Sequence, residues 1–120
     1  YYTYSWKSNS RYDYTPTRKK MNATPVYLKT QEYTLPYNGY YAKTLYGTSS
    51  QSANLSASAS EYWINNYTAY VIRANGTSVS QIGKYVRIRG HYSDTTYSWG
   101  DCKIAWSPDT TNASNYTYLN

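Results

Sequence analysis

The sequence predicts an all-β protein, a single-domain antiparallel β-sandwich of seven to nine strands over residues 1–120, with a small closed β-barrel as the alternative. Three observations carry this. No stretch shows helical periodicity of useful length, whereas short runs alternate apolar and polar residues. Turn chemistry separates those runs, most clearly at Pro36-Tyr37-Asn38-Gly39 and Asn75-Gly76, because Asn-Gly tolerates the positive φ of tight hairpins. Finally, 19 of the 120 residues are Tyr, four are Trp and none is Phe. These are large strand-forming side chains, and each carries a polar atom.

Taken in order, Tyr1 to Trp6 alternates weakly and is a first strand. Residues 8–19 are polar, contain Pro16 and read as a loop. Val26 to Glu32 is a strand with Val26, Leu28 and Thr30 inward and Tyr27, Lys29 and Gln31 outward. Tyr40 to Tyr46 follows the first Asn-Gly turn. Gly47 to Gln51 turns the chain again, and Ala53, Leu55 and Ala57 then give a strand with a small-residue inner face. Tyr62 to Ala74 is the longest β-rich run, closed by Asn75-Gly76, and Thr77 to Ile82 follows as a strand ended by Gly83. Lys84 to Tyr92 is the clearest strand, with Val86 and Ile88 on one face. Ser93 to Thr96 loops out, Tyr97 to Trp106 holds the last core strands, and Tyr116 to Leu119 adds an edge strand. Many short strands without helices fit a sandwich or a small barrel.

Composition bounds the core. Leu, Ile and Val total only 14, few enough to raise disorder. Against that, only 15% of residues are charged, and the aromatic rings supply the missing buriable area. The core is therefore a mixed one, with Trp63, Trp99 and Trp106 in the place of Phe and Leu. Cys102 is the only cysteine, so no internal disulfide forms. Alternation sets Cys102, Ile104 and Trp106 on one face, as expected of a small buried apolar residue. The chain opens on Tyr1, and no stretch resembles a signal peptide or a membrane span. A mature secreted or cell-surface product is the expectation.

Enzyme chemistry finds little support. There is one His and one Cys, with six carboxylates in all. No Gly-rich phosphate loop, His/Cys metal cluster or nucleophile elbow occurs, so neither a cofactor nor a metal is expected. A Cys–His pair between His91 and Cys102 would have to form in space. Six Asn-x-Ser/Thr sequons, at Asn22, Asn54, Asn66, Asn75, Asn112 and Asn115, are glycan acceptors only in an organism that uses them.

The basic residues are more suggestive. Net charge is +6 and the pI about 9.3, which draws the chain to polyanions in general. Tyr85, Arg87, Arg89 and His91 share one strand face, a cationic stripe edged by aromatics, and Arg18-Lys19-Lys20 adds a second cluster. Guanidinium forks grip phosphate or carboxylate, and neighbouring rings stack on sugars or bases. A solvated strand face, with Arg stems shielding Tyr edges, has equal weight. Single-stranded nucleic acid suits such a surface, but no RNA-binding motif accompanies it and export disfavours it.

Two segments carry a resemblance. Arg18-Lys19-Lys20-Met21-Asn22-Ala23-Thr24-Pro25-Val26-Tyr27-Leu28-Lys29 and Ile104-Ala105-Trp106-Ser107-Pro108-Asp109-Thr110 resemble small exported Tyr-rich proteins of Gram-positive, often gut-dwelling, bacteria. Those proteins share an Arg-Lys-Lys-x-Asn-x-Thr-x-Val-Tyr-x-Lys segment and end in Trp-Ser-Pro-Asp-Ser. This chain departs with Thr110 in place of Ser and Ala105 in place of Val. The resemblance implies export but no particular activity. In composition the chain is also similar to lactococcin-type bacteriocins, secreted β-sandwiches that act on cell-wall precursors, an analogy of fold and export alone.

The leading expectation is a secreted, non-enzymatic, bacteriocin-like protein that contacts an anionic cell-wall polymer or lipid-linked precursor. Tyr85, Arg87, Arg89, His91, Arg18, Lys19 and Lys20 carry that contact. A glycan-binding module, stacking sugars on Trp and Tyr, is the second reading. The third is a surface fibre or adhesin subunit that self-associates through an edge segment such as Tyr1 to Trp6.

Overall fold

A computed structural model describes residues 1–7, 12–33, 39–48, 55–56, 61–65, 67–72, 79–92, 99–110 and 116–119. Within them lie β1 (Tyr2–Lys7), β2 (Tyr12–Tyr14), β3 (Arg18–Lys19), β4 (Val26–Tyr33), β5 (Gly39–Gly47) and β6 (Leu55–Ser56). There follow β7 (Tyr62–Asn65), β8 (Ala69–Ile72), a 3₁₀ turn (Val79–Gln81), β9 (Tyr85–His91), β10 (Trp99–Ser107) and β11 (Thr117–Leu119). One sheet has the order β1-β10-β4-β8-β11. The other runs β2-β9-β5-β6, with β3 also on β9 and β7 also on β5. Among the described residues every pairing is antiparallel except β11 with β8. The sheets form a sandwich, not a closed barrel.

The predicted alternation places the core. Val26, Leu28 and Thr30 of β4, Val86 and Ile88 of β9, and Cys102, Ile104 and Trp106 of β10 are all buried between the sheets. Where Phe would ordinarily stand, Tyr4, Trp6, Tyr40 and Tyr70 fill the layer. A buried hydroxyl or indole N–H needs a partner, and these have one. Tyr4 donates to the Ile88 carbonyl at 2.9 Å, and Trp6 Nε1 donates to the Gly90 carbonyl at 3.1 Å. Tyr40 and Thr30 share a hydroxyl bond of 2.9 Å, and the Asn65 amide donates to the Tyr70 hydroxyl at 3.0 Å. Burial holds the Tyr4 and Tyr40 hydroxyls well above the ordinary value of 10.0.

Four expectations are corrected. The 8–19 segment, read as a loop, contributes β2 and β3 to the flank of β9. Pro16 interrupts the edge between them, where it has no ladder donor to give. Thr15 bridges the gap: its N–H donates to the Ile88 carbonyl and its hydroxyl accepts from the Ile88 amide, both at 3.0 Å. The run from Tyr62 is two strands in different sheets, broken at Tyr67, whose φ is 67°. Val79–Gln81 is a 3₁₀ turn instead of a strand, because Val79 and Ile82 have no sheet to face and stand exposed. Trp63, placed in the core from its type, is 42% exposed. The expected turns at 36–38, 75–76 and 93–96 lie outside the described residues, as does most of the 53–57 strand.

Candidate functional site

Register builds the outer face of the second sheet. Directly opposed residues of antiparallel strands put their side chains on the same face. Tyr12 of β2 opposes His91 of β9, His91 opposes Tyr41 of β5, and Tyr41 opposes Trp63 of β7. Four rings therefore form one row across four strands. Tyr12 stacks on His91 with centroids 4.3 Å apart, His91 lies 6.2 Å from Tyr41, and Tyr41 meets Trp63 edge to face at 5.1 Å. The rings at the two ends, Tyr12 and Trp63, are 45% and 42% exposed. Trp63 is oriented by its own strand, its Nε1 donating to Asn65 Oδ1 at 2.9 Å.

Two residues along each strand lies a second row, Tyr14, Arg89 and Lys43. Arg89 lies over the Tyr12 ring at 4.7 Å and Arg87 over the Tyr14 ring at 4.5 Å, cation–π contacts between neighbouring strands. Glu61, just before β7, reaches into both rows. Its Oε1 is 2.8 Å from His91 Nδ1 and its Oε2 accepts from Arg89 Nη2 at 3.1 Å. Among the described residues no ion pair involves Lys43.

The predicted site residues thus separate. Tyr85, Arg87, Arg89 and His91 do line one outward face, but Arg89 and His91 are tied to a single carboxylate, so the stripe is largely partnered within the molecule. Arg18 turns onto Trp106, with its guanidinium 5.0 Å above the ring and Nη1 donating to the Trp106 carbonyl at 3.2 Å. Lys19 is exposed. Lys20, expected at the surface with them, is instead fully buried. Its Nζ meets Asp109 Oδ1 at 2.9 Å, the Pro108 carbonyl at 2.6 Å and the Thr24 carbonyl. A buried ammonium needs all its protons placed, and these partners take them, so Lys20 has none left for a ligand.

His91 and Cys102 are not a pair: the first lies on the outer face of its sheet and the second between the sheets. Burial, above all, raises the Cys102 thiol far above its usual value of 9.0, the opposite of an activated nucleophile. Among the described residues no group of three or more His, Cys, Asp or Glu is placed to hold a metal.

The face also enlists Tyr12, Tyr41 and Glu61, which the sequence reading did not single out, and Trp63, which it had placed in the core. A signal for the first existed, since Tyr12 and Tyr14 alternate within the segment taken as loop. The molecule is, by fold and face, an antiparallel β-sandwich with an aromatic, cation-lined outer sheet. No family model, curated protein or solved structure matches the chain.

Proposed function

We propose that the protein is a non-enzymatic glycan-binding module that lays an acidic cell-envelope polysaccharide across the outer face of its second sheet. The four-ring row of Tyr12, His91, Tyr41 and Trp63 carries this reading. Strands lie about 4.8 Å apart, so the row spans about 14 Å, long enough for several sugar rings in series. The apolar C–H faces of sugars stack on such rings, while their hydroxyls reach the polar groups alongside. Lys43 and Arg89 stand in the next row and Arg87 one row further on, and among the described residues Glu61 is the one carboxylate bonded to these side chains. That balance favours uronate or phosphate substituents over neutral chains.

Binding without turnover is supported by Glu61 itself. Glycoside hydrolysis ordinarily needs a pair of carboxyl groups, and among the described residues the one beside the row is bonded to Arg89 and His91. Export and an envelope setting rest on the composition and on the resemblance of the two motifs. The fibre reading gains nothing from β1, whose Tyr4 and Trp6 complete the protein's own core.

Affinity electrophoresis through gels containing polygalacturonate, with neutral dextran as the comparison, tests the proposal. Retardation by the acidic polymer is expected, and Trp63→Ala or Tyr12→Ala should each weaken it about tenfold without lowering the melting temperature. Absence of retardation in every gel, or variants indistinguishable from wild type, would discard it.

A further inference from the structure

We infer a second binding surface, for an anionic lipid bilayer, at the end of the sandwich where Met21, Val79 and Ile82 stand out from two adjoining loops. Backbone bonds join those loops: the Lys20 N–H donates to the Lys84 carbonyl at 2.8 Å, and the Gly83 N–H to the Lys20 carbonyl at 2.7 Å. Met21 is thereby set beside the turn that carries Ile82. The Ile82 N–H in turn donates to the Val79 carbonyl at 3.1 Å, a one-turn closure that brings those two side chains to the same side.

The three are 63%, 74% and 44% exposed. This chain has one Met and 14 Leu, Ile and Val, and its core borrows Tyr to make up the shortage. Leu28, Leu45, Ile64, Ile72, Ile88, Ile104, Val26, Val71 and Val86 are all buried. Every other large exposed hydrophobic among the described residues is a Tyr or Trp, with a polar atom to show to water. Three aliphatic side chains exposed at one place are therefore out of keeping with the rest of the described surface.

Two further features identify the occupant. Backbone groups entering an apolar layer must be bonded within the protein, and six N–H groups at the tip are. The N–H groups of Lys20, Ile82, Gly83 and Lys84 bond to carbonyls of the same two loops, and those of Met21 and Asn22 donate to Asp109 at 2.8 and 3.2 Å. Among the described residues the charges around the tip are Lys19 and Lys84 together with Asp109, and Asp109 is neutralised by Lys20. The other described carboxylates, Asp13, Glu32, Glu61 and Asp101, belong to β2, the ends of β4 and β10 remote from the tip, and the start of β7. An aliphatic tip with bonded backbone and a cationic rim suits the headgroup boundary of an anionic membrane.

Co-sedimentation of the intact protein with phosphatidylcholine vesicles, with or without about one third phosphatidylglycerol, tests this. Binding is expected only with the anionic lipid and should weaken as salt rises. The triple variant Met21→Ser, Val79→Ser, Ile82→Ser should bind at least tenfold more weakly while melting at the wild-type temperature. Equal binding by that variant, or none by the wild type, overturns the inference. So does a wild-type dimer in lipid-free ultracentrifugation that the same substitutions abolish, which would make the tip a contact between copies. None of these outcomes depends on polysaccharide binding.

Discussion

Lys20 Nζ lies 2.9 Å from Asp109 Oδ1, although 89 residues separate the two in the chain. The pair joins the two segments on which the sequence resemblance rests. Asp109 also takes the Met21 and Asn22 amides, Thr110 N–H donates to Thr24 Oγ1 at 3.0 Å, and Thr110 Oγ1 donates to the Pro25 carbonyl at 2.6 Å. Those motifs are one clasp that fixes the entry to β4 against the exit from β10.

Breaking the clasp from one side should be costly. Burial lowers the Lys20 pKa from 10.5 against the opposing pull of Asp109, so the ammonium has lost more to desolvation than the pair returns. Removing the carboxylate leaves that charge stranded. Asp109→Ala should cost about 3–5 kcal/mol in urea unfolding. Lys20→Met should cost less, because Asp109 keeps its backbone donors. The reverse order would mean that Lys20 is not the strained member.

The same pair sets an acid limit. Burial raises the Asp109 carboxyl, but the Lys20 hydrogen bond, the Met21 amide, the Lys20 charge and the Asn22 amide outweigh it, and the group lies below its usual 3.8. A depressed folded-state value gives stability that is complete above the unfolded value and is lost as pH falls through the folded one. The urea midpoint should therefore drop below about pH 4. The difference between wild type and Asp109→Asn should shrink over the same interval. A difference that stays constant down to about pH 2 would exclude the linkage.

What the sequence made legible was the alternation. β4, β9 and β10 face as their patterns require, and Arg87, Arg89 and His91 point outward. Residue type alone misplaced Trp63 and Lys20. Trp63 shares its strand with Ile64, and only the register with Tyr41 decides which of the two faces outward. Lys20 could be assigned to the interior only by knowing that Pro108 and Asp109 come to meet it. The aromatic row is equally non-local, because its members lie on four strands and no window of sequence contains them.

Gly90 is required by packing. Tyr4 and Trp6 stack with centroids 5.1 Å apart, and both hydrogen-bond to β9 carbonyls beneath them. A Cβ at Gly90 would stand 2.8 Å from Trp6 Cζ2 and 3.0 Å from Tyr4 Cε1 and Cζ. Gly90→Ala should cost about 1–3 kcal/mol. It should also reduce the near-ultraviolet circular dichroism of the cluster. Unchanged spectra and stability would show that the two rings can shift aside.

Cys102 offers a probe of that same core. It is buried, and desolvation is the main cause that suppresses its thiolate. Alkylation by iodoacetamide at neutral pH should fail in native buffer and go to completion in denaturant. Modification at the rate of a free thiol would place the side chain in solvent.

Under the proposed polysaccharide binding, Glu61 sets how much of the cationic stripe is left for the ligand. Its carboxylate neutralises Arg89 and also bonds His91. Glu61→Gln removes one negative charge from the face and leaves Arg89 without its ion pair, while the aromatic row keeps its members. Retention on polygalacturonate should then persist to higher salt, with a steeper salt dependence. Retention by a neutral polymer, if any, should be unchanged. If the variant instead loses acidic and neutral retention together, Glu61 acts by holding His91 in line between Tyr12 and Tyr41, and ring alignment outweighs charge in the contact.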